Sequence, residues 1–202
     1  MGLTMESLQE QINDLKKEVT ELKKENLVSI RKKLGIGDTF DLIGLNWKIL
    51  DKTDSGYVCL VETLEDEKQF DKYSSDWKKS SLREYLNGEF LEKLSDVVGK
   101  ENIISFERNL LSLDGQTEYG SCEDKVSLLT VDEYRKYRSM IPNTDDGLWW
   151  LITPWSTPCN NYERSVTVVS PSGIIDYRYC VSNGGVRPFC ILKSNIFVSK
   201  GE

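Results

Sequence analysis

The sequence predicts an α+β domain carried behind an N-terminal helix. Three observations predict it. A heptad of apolar residues is confined to the first 26 positions, strand-like alternation begins after Gly35, and two capped helical segments lie between an early hairpin and a strand-rich C-terminal part.

The heptad consists of Met5, Leu8, Ile12, Leu15, Val19 and Leu22 at alternating steps of three and four, completed by Asn26. With Met5, Ile12, Val19 and Asn26 at a, the leucines fall at d, and Glu18 at g faces Lys23 at e of a neighbouring helix. For residues 1–34 the expectation is a parallel coiled coil through which the chain self-associates. β-branched a residues, leucine d residues and an a-position Asn favour a dimer, and the following domain could impose a trimer, because about three heptads are marginal alone. The alternative is an amphipathic helix folded back on its own domain.

Residues 35–202 form the second unit. Gly35 and Gly37 end the helix, and TFDLIGLNWKILDKTDSGYVCLVET reads as two strands joined at Asp54-Ser55-Gly56, with Trp47, Ile49, Tyr57, Cys59 and Val61 on the buried face. Ser80 to Glu84 opens a helix whose apolar side holds Leu82, Tyr85, Leu86, Phe90, Leu91 and Leu94, and Thr130-Val131-Asp132-Glu133 has the form of a capping box opening another. From Leu148 the chain turns to strands: LWWLITP, then SVTVVSPSGIIDYRYC folded at Pro171-Ser172-Gly173, then GVRPFCIL. Consecutive residues of a strand point to opposite faces, so Trp149 and Trp150 cannot both face a site, and core packing is expected for them. Arg187, between Val186 and Pro188, is expected to make a buried ion pair with an Asp or Glu.

Composition excludes several kinds of chemistry. A formal charge of −7 gives no excess of Lys and Arg to displace counterions from phosphates, so nucleic acid is not an expected partner. With no histidine in the chain, there are no His bases, His metal ligands or His-activated nucleophiles. The five cysteines, Cys59, Cys122, Cys159, Cys180 and Cys190, lack CxxC spacing and are odd in number, which fits free thiols. Cys159 and Cys180 fall in the expected surface region. The acidic stretch Glu62, Glu65, Asp66, Glu67 and Asp71 lacks the glycine and spacing of a calcium loop and reads as a solvated face. No metal and no cofactor are expected, no apolar run is long enough to cross a bilayer, and no basic-then-apolar leader opens the chain. The expectation is a protein made in the cytoplasm without membrane insertion.

Four blocks then carry a family resemblance: Trp47-Lys48-Ile49-Leu50; Trp77 with Ser81-Leu82-Arg83-Glu84-Tyr85-Leu86-Asn87; Leu148-Trp149-Trp150-Leu151-Ile152-Thr153-Pro154; and Gly185-Val186-Arg187-Pro188. Together, over about residues 38 to 198, they resemble a family of bacterial and phage domains with a C-type lectin-like fold. The last block also resembles the closing strand of lectin folds of the formylglycine-generating-enzyme type. Ile152-Thr153 stand where the family pattern has Arg-Ser, which removes that arginine from any role here. The sugar- and calcium-holding motifs of the lectins themselves, Glu-Pro-Asn or Gln-Pro-Asp followed by Trp-Asn-Asp, are absent, so calcium-dependent sugar binding is not implied.

The resemblance implies a C-type lectin-like scaffold like that of diversity-generating retroelement variable proteins, including phage receptor-binding proteins. The diversified positions would then lie between Trp155 and Gly184. That window holds Trp155, Asn160, Asn161, Tyr162, Arg164, Ile175, Asp176, Tyr177, Arg178, Tyr179, Ser182 and Asn183, a mixture similar to that of antibody loops and suited to rigid aromatic contacts with adaptable polar neighbours. These residues are the candidate ligand-binding set, with no catalytic set beside them, and the expected partner is a protein or cell-surface ligand met from a virion or cell surface. Two rival expectations are an enzyme on a formylglycine-generating-type fold, whose closely spaced cysteine pair this chain does not match, and an intracellular coiled-coil adaptor.

Overall fold

Apolar side chains at every second position draw the segment from Thr39 to Val61 into three antiparallel strands where the sequence pattern predicts two: β1 (Thr39–Leu42), β2 (Leu45–Lys52) and β3 (Tyr57–Val61). The additional turn falls at Ile43-Gly44, with φ of 54° and 79°. This is a backbone region usually left to Asn and Gly. Ile43 occupies it while its side chain packs against the core, and Trp47 donates its indole N–H to the Leu42 carbonyl at 3.1 Å across the same turn.

The computed structural model describes residues 9, 11–19, 34–62, 65–144 and 147–197. Met5, Leu8, Leu22, Lys23 and Asn26 of the heptad lie outside them. Residues 11–19 are helical and exposed throughout, Ile12, Leu15 and Val19 being 44%, 59% and 48% exposed.

After β4 (Glu65–Gln69), helix α1 (Ser81–Tyr85) runs through a π-helical turn (Leu86–Phe90) into α2 (Leu91–Val98). Short strands β5 (Ile103–Ile104), β6 (Phe106–Asn109), β7 (Ser121–Asp124) and β8 (Val126–Ser127) lead to α3 (Val131–Tyr137). The C-terminal part supplies β9 (Trp149–Pro154), β10 (Ser165–Val169), β11 (Ile175–Tyr179), β12 (Asn183–Val186) and β13 (Phe189–Leu192). Among the described residues one sheet has the order β1-β2-β3-β13-β5, with β8 also on β13; a second has the order β11-β10-β9-β12-β4; and β6 pairs with β7. The architecture is α+β. Of the links between these two sheets, the two shortest run from β3 to β4 and from β12 to β13. They are tied where Val61 N–H donates to the Pro188 carbonyl at 3.0 Å.

Strand alternation sends neighbouring residues into two apolar clusters. Trp47, Ile49, Cys59, Trp150, Val168 and Cys190 enter the first, which Leu82, Leu86 and Leu94 of the long helix cover. Leu50, Val58, Leu60, Trp149, Leu151 and Phe189 enter the second, covered by Val131, Tyr134 and Tyr137 of α3. Strand β9 has no solvent face, since Trp149, Trp150, Leu151 and Ile152 are each at most 1% exposed. Trp150 also donates to the Lys68 carbonyl at 2.8 Å, which fastens β4 at the far side of the sheet.

Both sequence-predicted helix starts are capped. Ser80 accepts from Arg83 N–H at 3.1 Å, and Thr130 and Glu133 close a full capping box. Glu133 has a second role as the bidentate partner of Arg108, which is 3% exposed, at 2.7 and 2.6 Å. Burial alone would raise the Glu133 carboxyl, but the Arg108 hydrogen bonds and charge, with those from Thr130, bring it below its ordinary value.

The middle sequence block proves to be a clamp. Trp77 Nε1 donates to Asp124 Oδ2 at 2.7 Å and Arg83 Nε to Asp124 Oδ1 at 2.6 Å, while Asn87 bonds Lys125 N–H, Val126 N–H and the Val126 carbonyl. These side chains hold β7 and β8 against the long helix.

Two expectations need correction. Arg187 is 1% exposed but makes no ion pair among the described residues. Its guanidinium lies 4.9 Å over the Trp149 ring, Nε donates to the Val61 carbonyl at 3.0 Å, and Nη1 is buried with no hydrogen-bond partner among the described residues. Burial, only partly offset by the charge of Glu62, pulls its pKa down to about 10. Among the described side chains, a ring face and a carbonyl at the sheet-to-sheet passage hold the guanidinium. Cys180 is buried in the first cluster and is not part of the surface, because its apolar side chain leaves the exposed edge where β11 ends.

Replacing Asp124 by Ala leaves the buried Trp77 indole N–H without its acceptor and the half-buried Arg83 guanidinium without its carboxylate. Urea denaturation should show a loss of about 3–5 kcal/mol. A loss below about 1 kcal/mol, as for an exposed pair, would contradict the clamp.

Candidate functional site

Where β9 leaves the core at Pro154, the chain enters a loop that its own backbone closes. Trp155 N–H donates to the Ser165 carbonyl at 2.9 Å and Ser165 N–H to the Tyr162 carbonyl at 3.1 Å. Ser156 and Thr157 are buried anchors at the base of the loop, and a 3-10 turn (Pro158–Asn160) follows. Asn161 ends that turn in the left-handed region at φ 58°. The amide side chain tolerates this conformation better than most, so Asn161 serves the loop's path.

A second loop locks onto the first. Leu113 N–H donates to the Pro154 carbonyl at 2.8 Å, which places Asp114 beside the 155–162 loop. Its Oδ2 accepts from Ser156 Oγ at 2.6 Å and Asn160 Nδ2 at 2.8 Å, and its Oδ1 from Ser112 Oγ at 2.5 Å. The hydrogen bonds from Ser112, Ser156 and Asn160 hold the Asp114 carboxyl below its ordinary value, against a small opposing effect of burial.

Between the two loops lies a depression of about 340 Å³ lined by Leu113, Asp114, Trp155, Ser156, Asn160 and Tyr162. Trp155 is half-buried, and its ring meets that of Tyr177 on β11 at 4.7 Å between centroids, tilted by 39°. Tyr162, Tyr177 and Tyr179 are 50%, 39% and 62% exposed. Strand β10, which pairs with the β11 strand of Tyr177, is buried along its whole length.

Strand β11 is an edge of its sheet. Cys180 N–H donates to the Arg164 carbonyl and Ser170 N–H to the Ile174 carbonyl. In this antiparallel register the even-numbered residues therefore bond to β10, while Ile175, Tyr177 and Tyr179 turn their backbone groups outward. Several of these groups are already satisfied. Tyr177 N–H donates to Asp176 Oδ1 at 2.8 Å, the Tyr177 carbonyl accepts from Arg178 at 3.3 Å, and the Tyr179 carbonyl accepts from Ser182 N–H at 2.8 Å. Such local capping discourages addition of a foreign strand and leaves side chains as the means of contact.

The twelve sequence-predicted residues are all exposed or half-buried, yet they do not form one site. Trp155, Asn160, Tyr162 and Tyr177 converge at the depression, with Tyr179 farther along the face of Tyr177. Asp176 and Arg178 alternate to the other face, and Ile175 packs at the rim of the second apolar cluster. Arg164 approaches the Lys72 carbonyl at 3.5 Å. Asn183 pairs with Gln69 and lines a separate depression of about 360 Å³ with Lys68, Ser81 and Tyr85, where Lys68 Nζ lies 4.2 Å from the Tyr85 ring centre. Sequence reasoning missed Asp114, Leu113 and Ser156; the Asp114-Gly115 dipeptide was the available turn signal.

Among the described residues, no cysteine near the depression has the environment of an activated nucleophile. Burial raises the thiols of Cys59, Cys122, Cys180 and Cys190, which keeps them protonated, while Cys159 is exposed with Thr157 Oγ1 3.1 Å away. Of the acidic stretch, Glu62 is tied to Lys48 at 2.7 Å and Asp71 accepts from the backbone of Tyr73, Ser74 and Ser81. Among the described residues no group of three or more metal-ligating side chains gathers, and no helix is long and apolar enough to cross a membrane.

The family model described as "Domain of unknown function (DUF6273)" matches residues 49–146 and, in a second overlapping match, residues 110–194. The chain belongs to this family. No curated protein and no solved structure is significantly similar to the chain. The DUF6273 matches run from Ile49 in β2 past the end of β13, so they take in most of the first apolar cluster, the buried residues of the second, both loops around the depression and the whole of β11.

A carboxyl held below its ordinary pKa adds stability at neutral pH that is lost as pH falls through its folded value. Hydrogen exchange should therefore show residues 155–164 losing protection below about pH 4. Asp114→Ala should speed their exchange at neutral pH by roughly tenfold. Unchanged protection in the variant would show that the loops do not depend on this lock.

Proposed function

We propose that the chain is a ligand-binding protein on a scaffold resembling the C-type lectin fold, with its contact surface at Trp155, Asn160, Tyr162 and Tyr177. The observation that carries this reading is the Trp155–Tyr177 pair, two large rings kept in the open beside a polar depression on a loop held by Asp114. Rings of limited rotamer freedom lose little entropy on binding and are common anchors of interfaces. The partner is a protein or cell-surface ligand, contacted side chain by side chain because β11 caps its own edge.

Self-association through the N-terminal helix belongs to the same proposal. Exposed Ile12, Leu15 and Val19 continue the heptad spacing and are not covered by the domain, which favours a neighbouring copy over a helix folded back. Joining several heads converts later contacts into intramolecular ones and strengthens weak single sites. In light scattering, the full chain at micromolar concentration should have the mass of a dimer or trimer, and Ile12→Asp with Leu15→Asp should return it to a monomer. A wild-type monomer would remove the multivalent part of the reading.

The resemblance to retroelement variable proteins further suggests that the exposed positions between Trp155 and Gly184 are diversified. The genomic sign is a near-copy of those codons, differing at adenines and lying beside a reverse transcriptase gene. Isolates that all keep Tyr162, Tyr177 and Tyr179 would exclude it.

For binding itself, a displayed peptide library selected on the full chain should yield ligands that lose roughly thirtyfold in affinity to Trp155→Ala with Tyr177→Ala, as expected for hot-spot aromatics. Ligands that bind the double variant as well as the wild type would place recognition elsewhere.

A further inference from the structure

The lining of the depression is specific enough to suggest what part of a ligand enters it. Asp114 is its one charged residue. Three hydrogen bonds from its own chain fix the carboxylate, but none comes from a cation, and no Lys or Arg among the described residues pairs with it. These three bonds and the residue's own backbone N–H take up most of the roughly four lone-pair sites of the carboxylate, but all four donors are neutral, so the negative charge stands uncompensated. Asn160 spends its Nδ2 on Asp114 and Ser156, which orients the amide and leaves Oδ1 as a free acceptor among the described residues. Around these acceptors stand the rings of Trp155 and Tyr162, with Tyr177 against Trp155.

Ring faces carry negative potential and attract cations, and a carboxylate and an amide oxygen accept N–H bonds from the same group. A planar guanidinium satisfies both at once, since it can stack on an indole and donate from its edge. The chain itself uses this chemistry at Arg187 over Trp149 and at Arg108 between Phe106 and Phe189, within about 5 Å of each ring. Those two cations come from within the fold. At Trp155 the rings and the carboxylate have none among the described residues.

We propose that the depression between the 112–116 turn and the 155–162 loop receives an arginine side chain of a protein partner, its guanidinium stacked on Trp155 and bonded to Asp114 and Asn160 Oδ1. This rests on the reading of the Trp155 face as a binding surface and adds the chemistry of the residue it selects. Two properties follow. Binding weakens with added salt, because one partner is an exposed carboxylate. It is also lost in acid, as Asp114 protonates.

The test is titration of ¹⁵N-labelled full chain with three blocked amino acids: N-acetyl-arginine methylamide, the lysine analogue and the neutral citrulline analogue, following the Trp155 indole N–H signal. The expected result is a saturable shift with the arginine probe, a weaker one with lysine and none with citrulline. Asp114→Asn should keep the folded spectrum, because the new amide still has an oxygen for the Ser156 hydroxyl, and should bind the arginine probe about tenfold more weakly. Equal shifts from arginine and citrulline, an unchanged affinity in Asp114→Asn, or no saturable shift at all would overturn the proposal. If library-selected ligands still depend on Trp155 and Tyr177 while the arginine probe fails, the binding face stands and the arginine assignment falls.

Discussion

Burial of β9 on both faces is the constraint on which the rest of the structure depends. Trp149 and Leu151 fill one apolar cluster and Trp150 and Ile152 the other, so one strand joins the core under the long helix to the core under α3. Side chains that fully leave water contribute about 1.5–3 kcal/mol each for ordinary apolar residues, and the tryptophans bury more area than these. The strand then sets its neighbours. Its Trp150 indole holds β4, its Trp149 ring supports Arg187 where the chain passes between sheets, and its last residue, Pro154, accepts the bond that anchors the loop of Asp114.

The functional surface is a consequence of where that burial stops. At Trp155 the fully buried run of β9 ends, and its ring is the first after that strand to stand partly in solvent. Its loop is fixed by Ser156, Asn160 and Asp114 before any ligand arrives, which lowers the ordering entropy that binding must otherwise overcome. Asp176 and Arg178 satisfy their own strand edge, and this turns an aggregation-prone feature into a surface that recognises through side chains.

Much of this was legible in local sequence patterns. The Ser80 and Thr130 caps, the long amphipathic helix, the turn at Pro171-Ser172-Gly173 and the alternating residues of β2, β3 and β10 depend on neighbours a few positions away, and periodicity reports them directly. Features created by distant pairing were not legible. Asp114 matters only because Ser156 and Asn160 are brought beside it, Cys180 is buried where its carbonyl takes the backbone N–H groups of the distant Phe70 and Asp71, and among the described residues Arg187 is held by a ring and a carbonyl. The turn at Ile43-Gly44 escaped for a related reason: packing holds Ile43 in a conformation that its own chemistry disfavours. The candidate contact set was read as one window, and folding divides it between the Trp155 face, the edge-capping residues and the separate depression at Asn183.

The claim that recognition belongs to the face of Trp155, Tyr162 and Tyr177 is tested most directly by mapping where a tight ligand sits. A binder selected on the full chain should be footprinted by hydrogen exchange and confirmed by chemical-shift mapping. Protection and shifts should centre on residues 112–116, 155–164 and 175–179. A footprint centred on Lys68, Ser81, Tyr85 and Asn183, with the Trp155 signals unmoved, would contradict it.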